Sequence, residues 1–73
     1  MTKKEATNAA FGINHLCRDN YFRDGHVHAE VVAVLPRVWG VEVSNGNTNF
    51  ARTATEPFEA FGLINEVARG GQA

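Results

Sequence analysis

Between Lys3 and Asn20 the apolar residues Ala6, Ala9, Ala10, Ile13, Leu16 and Cys17 recur at helical spacing and share one face. Thr2 stands at the start, with Glu5 three residues on as a capping-box partner. The small residues at 6, 9 and 10 permit close approach to a neighbour, and Asp24-Gly25 turns the chain. From His26 to Leu35 the pattern becomes β-branched, and Val31-Val32-Ala33-Val34-Leu35 does not alternate, which predicts a strand apolar on both faces. Pro36 breaks it. Val38 to Ser44 alternates, with Trp39, Val41 and Val43 on one side. Asn45-Gly46 then reads as a two-residue hairpin turn, pairing Val43 with Thr48, Val41 with Phe50 and Trp39 with Arg52, whose guanidinium would lie on the indole. Thr55 is the expected cap of a last helix opened by Glu56-Pro57, and Gly70 its left-handed stop. On that helix Phe58, Phe61, Ile64 and Ala68 form one apolar stripe and Ala60, Leu63 and Val67 a second, an arc wider than one sheet contact needs.

These elements predict an α+β fold in the order α-β-β-β-α: a three-stranded antiparallel meander with an N-terminal and a C-terminal helix on one face. Residues 1–73 make a single small domain, with residues 70–73 expected to fray. At 73 residues the core is marginal. A 44% hydrophobic and 21% charged composition is that of a folded chain, not a disordered one. A net charge of −1 excludes the strong electrostatic footprint of a nonspecific nucleic-acid binder. One cysteine, no apolar run of membrane-spanning length and no signal-peptide pattern lead to an expected cytoplasmic location and no membrane partner.

Candidate chemistry is sparse. His26, His28 and Glu30 project from one side of a strand and are a permissible zinc or iron set, to which His15, Cys17 and Asp24 could supply further ligands. The same spacing describes any solvated strand face, which is the preferred reading, so no metal and no cofactor is expected. Cys17 lies on the apolar face of its helix, the place of an inert thiol, and Ser44 lacks a nucleophile-elbow context. Gly70-Gly71 follows a helix instead of opening one and makes no phosphate loop. No catalytic activity is expected. The order of elements is similar to that of double-stranded-RNA-binding domains, which implies a nucleic-acid-binding accessory role through the sheet face as the alternative function. The lysine-rich helix start of those domains is here Glu56-Pro57-Phe58-Glu59.

Two surfaces remain. Phe11, His15, Arg18 and Phe22 follow at four, three and four residues, on the side of the first helix away from Ala6 and Ile13, and form a candidate partner-binding stripe. Val32 and Val34, with Leu63 and Val67, are apolar positions that one helical layer leaves over, and are assigned to a homodimer interface. The expected function is recognition of another protein by a small cytosolic inhibitor or adaptor, of the kind that phage anti-defence (anti-CRISPR) proteins exemplify.

Overall fold

The computed structural model describes residues 1–71. Helix α1 spans Lys3–Asp19 and α2 Tyr21–Asp24; strands β1, β2 and β3 span Val27–Leu35, Val38–Asn45 and Ala51–Ala54; helices α3 and α4 span Pro57–Gly62 and Ile64–Ala68. The strands form one open antiparallel sheet in the order β1-β2-β3. The helices pack against one face, around Ala6, Ala9, Ala10, Ile13 and Cys17 of α1, Val27 and Ala29 of β1, Val41 and Val43 of β2, and Ala60, Ile64 and Val67 of α3 and α4. No described helix is long and apolar enough to cross a membrane.

Helix α1 begins as its sequence directs. The Thr2 hydroxyl accepts the Glu5 N–H at 3.1 Å and the Glu5 carboxylate accepts the Thr2 N–H at 2.9 Å, which satisfies two donors that a helix start otherwise leaves bare. Met1 extends the sheet: the Trp39 N–H donates to the Met1 carbonyl at 3.0 Å, and the Met1 amino group donates to the Thr55 carbonyl at 3.0 Å. Trp39 receives Lys3, not Arg52, over its ring, with Nζ 5.1 Å from the centroid. Arg52 lies over Phe50 instead, at 4.5 Å.

The hairpins reverse the expected assignment of turns. The tight turn is the first one: Leu35 pairs with Val38, leaving only Pro36 and Arg37 between the strands, and Arg37 takes a left-handed φ of 64°. The second connection is wide. Val43 pairs with Arg52 and Val41 with Ala54, a register four residues further along than a turn at Asn45-Gly46 requires. Gly46 has no positive φ, which glycine adopts only at Gly70 and Gly71 among the described residues.

Asn45 is the reason. Its Oδ1 accepts the N–H groups of Asn47 (2.8 Å) and Thr48 (3.2 Å), folding the loop onto its own first residue. Its Nδ2 donates to the carbonyls of Val67 (3.0 Å) and Ala68 (3.3 Å), which tethers the loop to the end of α4.

The C-terminal segment is two short helices, not one. Leu63 ends α3 and opens α4, and the residues turned inward are Ala60, Ile64 and Val67, while Phe58 is left outside. Glu56, not Thr55, is the N-cap, without a side-chain bond, and Pro57 fills the first turn. The Gly70 N–H bonds to the Val67 carbonyl and the Gly71 N–H to the Glu66 carbonyl, the paired bonds of a Schellman stop. Of the tail expected to fray, Gly70 and Gly71 therefore belong to the fold, and a Cβ on Gly71 would fall inside the Phe50 ring. Residues 72 and 73 lie outside the described residues.

Candidate functional site

Two faces were candidates for recognition: the outer surface of α1 with α2, and the sheet face away from the helices. The sheet face is set by alternation and register. Residues opposite Val41 and Val43 in the pleat are Gly40, Glu42 and Ser44, flanked by His28, Glu30 and Val32 on β1 and by Thr53 on β3. Glu30 and Glu42 stand directly across from each other, and His28 Nε2 lies 2.9 Å from the Glu30 carboxylate. None of these positions is Lys or Arg, so the face offers phosphate groups two carboxylates and no fixed cation. His28 and Glu30 are brought together as the strand spacing implied, but no group of three or more His, Cys, Asp or Glu able to hold a metal gathers anywhere among the described residues.

The α1–α2 surface is built differently. Phe11 and His15, one turn apart, stack with ring centroids 6.2 Å apart. The Arg18 Nη2 donates to His15 Nδ1 at 2.8 Å, and His15 Nε2 lies 3.6 Å from the Asp19 carboxylate. Both contacts fit the neutral imidazole with its proton on Nε2. Phe11, Asn14, His15 and Arg18 line a shallow groove of about 190 Å³. Beyond it, Asp19, Asn20, Tyr21, Phe22 and Arg23 line a second of about 230 Å³. The His15–Asp19 contact links one groove to the next.

Phe22 neither continues the α1 stripe nor folds back into the core. Asn20 breaks the helix, with φ −111° and ψ 47°, and restarts it as the single turn α2. There Phe22 is fully exposed, and its ring meets only Tyr21 edge-on at 6.2 Å. Phe11, His15 and Arg18 thus form one cluster; Phe22 heads the adjoining one, with Tyr21, which the sequence pattern had not singled out. Its signal was the break itself, since Asn20 is a poor helix interior residue followed by two aromatics.

The one buried residue of this exposed corner is Asp24. Its carboxylate is 2% exposed and takes three hydrogen bonds from the Arg23 guanidinium, the shortest 2.8 Å. Bonding to that carboxylate raises the pKa of Arg23 further above its ordinary value. Cys17 packs nearby, buried and free; burial first, and then the charge of Asp24, push its thiol up, away from the reactive thiolate.

Of the residues assigned to a dimer interface, Val32 and Leu63 are half-buried and Val34 is exposed. Val67 is wholly buried within the chain's own core and has no surface to offer; the split between α3 and α4 rotates it inward. Comparison with protein-family models, curated proteins and solved structures finds no match to this chain.

Proposed function

We propose that this chain is a protein-recognition module of the inhibitor or adaptor type, which meets its target through Phe11, His15, Arg18, Tyr21 and Phe22. The observation that carries this reading is the presentation of Phe22, fully exposed on a turn whose one inward residue is Asp24. An exposed phenylalanine forgoes roughly 1.5–3 kcal/mol of burial, and here a tyrosine and a second phenylalanine stand on the same flank. Aromatic residues around shallow grooves supply anchors with few rotamers to freeze, and arginine is enriched beside them at binding hot spots. The acidic sheet face favours a protein over a nucleic acid as the partner. The phage anti-defence setting is one in which inhibitors of this size act.

The test is quantitative affinity capture with the native chain, Phe22→Ser, Arg18→Glu and a control, Phe58→Ser, on the exposed residue of α3. A target held by the native chain and the control but released by the two site variants supports the reading. A target indifferent to Phe22→Ser and Arg18→Glu, or nucleic acid recovered in its place, overturns it.

A further inference from the structure

Strand β1 is nine residues long and forms one edge of the sheet. In an antiparallel strand, each residue directs its N–H and C=O to the same side, and successive residues alternate. The His26 carbonyl accepts from Gly46, which sets the even-numbered residues toward β2. Val27, Ala29, Val31 and Ala33 therefore face the open edge. At Ala29 the edge is closed by α1: the Asn14 Oδ1 accepts the Ala29 N–H at 2.8 Å and Nδ2 donates to its carbonyl at 3.0 Å. Among the described residues nothing hydrogen-bonds the outward groups of Val31 and Ala33.

The exposed edge is thus bounded by the Asn14 clamp on one side and Pro36 on the other. Between them runs Val31-Val32-Ala33-Val34-Leu35, without a charge or a proline. Val34 and Leu35 are exposed, and the pairing with β2 slips between Ala33 and Leu35, bending the strand there. Soluble proteins guard such edges with lysine, proline or a covering element. Here the guard stops at Ala29.

We propose that the uncovered edge pairs with the same edge of a second copy, β1 against β1, antiparallel about a twofold axis at Val32. The geometry selects this occupant and this register. With Val32 opposite Val32, Val31 of each copy faces Ala33 of the other, and both pairs exchange N–H···O=C bonds, so the outward groups of Val31 and Ala33 are all satisfied. The Val32 pair is then of the closely spaced, non-hydrogen-bonded kind, so the two side chains touch on the outer sheet face. The result is a continuous six-stranded sheet.

Sedimentation should give twice the 8.0 kDa chain mass, falling to one chain for Ala33→Pro, which removes an outward N–H and leaves the β1–β2 ladder intact, and for Val32→Lys. Phe22→Ser should leave the mass unchanged, so loss of target binding and loss of the dimer are read separately. Hydrogen exchange on the native chain needs no variant: the Val31 and Ala33 amides should gain protection as concentration rises. A native chain that stays at one chain mass through the submillimolar range overturns the proposal. So does a dimer in which those two amides exchange as fast as in Val32→Lys.

Discussion

Replacing Asn45 by alanine removes four hydrogen bonds from one 4% exposed side chain, two to loop amides and two to carbonyls at the end of α4. The two shortest, at 2.8 and 3.0 Å, carry most of the loss at about 1 kcal/mol each. The amides of Asn47 and Thr48 belong to exposed residues and can bond to water instead. The Val67 carbonyl keeps its bond from the Gly70 N–H, so no buried acceptor is left bare there. The sum is about 2 kcal/mol, and at about 4–8 °C per kcal/mol for a domain of this size the melting midpoint should fall by roughly 8–16 °C. Asn45→Asp separates the two halves of the role. The carboxylate still accepts from the loop amides, but it sets a second anionic oxygen against the two helix carbonyls, so its folded-state pKa rises above the unfolded one. That variant should regain stability as pH falls through the raised value, the proton then serving the Val67 carbonyl.

Gly46→Val is the matched control. A two-residue turn would force valine into positive φ, at about 1–3 kcal/mol. In the wide loop, a Cβ at Gly46 meets only the His26 carbonyl at 3.8 Å. Thermal melts followed by circular dichroism should show Asn45→Ala strongly destabilised and Gly46→Val near native. The reverse order would refute the wide loop and the tether to α4 together.

Arg37→Gly should raise the midpoint by a few degrees, because relief of a left-handed non-glycine residue, about 1–2 kcal/mol, exceeds the added unfolded-state freedom of glycine, about 0.4–1 kcal/mol; an unchanged or lower midpoint argues against the Pro36-Arg37 turn. Cys17 should resist iodoacetamide in the native chain and react on adding denaturant, as mass spectrometry would read; rapid native labelling contradicts its burial. Glu5 has its pKa lowered, chiefly by the Thr2 N–H and then by the Thr2 side chain. Its contribution is therefore full at neutral pH and is lost as pH falls through the folded-state value. Thr2→Ala should cost about 1 kcal/mol at neutral pH and lessen that acid dependence without abolishing it, since the N–H of residue 2 still bonds the Glu5 carboxylate, which paired melts at neutral and acid pH would measure.

The elements with a strong local signal were legible from the chain. Thr2 and Glu5 mark the start of α1, alternation marks β2, Pro36 marks the end of β1, and Gly70 stops α4. What escaped is set by groups far apart in sequence. Asn45-Gly46 has the local chemistry of a tight turn, but two carbonyls 22 and 23 residues away draw the Asn45 side chain inward, and a wider loop follows. The pattern around Leu63 allows either one long helix or two short ones, and packing chooses the pair that buries Ala60, Ile64 and Val67. At the candidate site, the spacing of Phe11, His15 and Arg18 gave their cluster directly, since all three lie on one regular helix. Phe22 could not be placed by spacing, because the chain leaves that helix at Asn20.

The choice of core residues connects stability to recognition. Fully inward positions are held by Ala6, Ala9, Ala10, Ala29, Ala54 and Ala60, with valines, two isoleucines and Cys17 between them, and by no aromatic side chain. Phenylalanine is ordinarily among the residues most often buried, yet Phe11, Phe22 and Phe58 are all largely in water. Alanines let α1 lie close on the sheet, and a close helix leaves no room beneath it for a ring. The large apolar side chains of α1 and α2 are thereby turned outward, where the Asp24–Arg23 pairing and the Asn14 clamp fix the elements that carry them. A chain of this length has little stability to spare, and placing its aromatic area inside would be the direct way to gain more. Its arrangement outside is what the proposed recognition surface requires, and the unguarded β1 edge fits the same economy: under the two proposals, both surfaces are buried only in a complex.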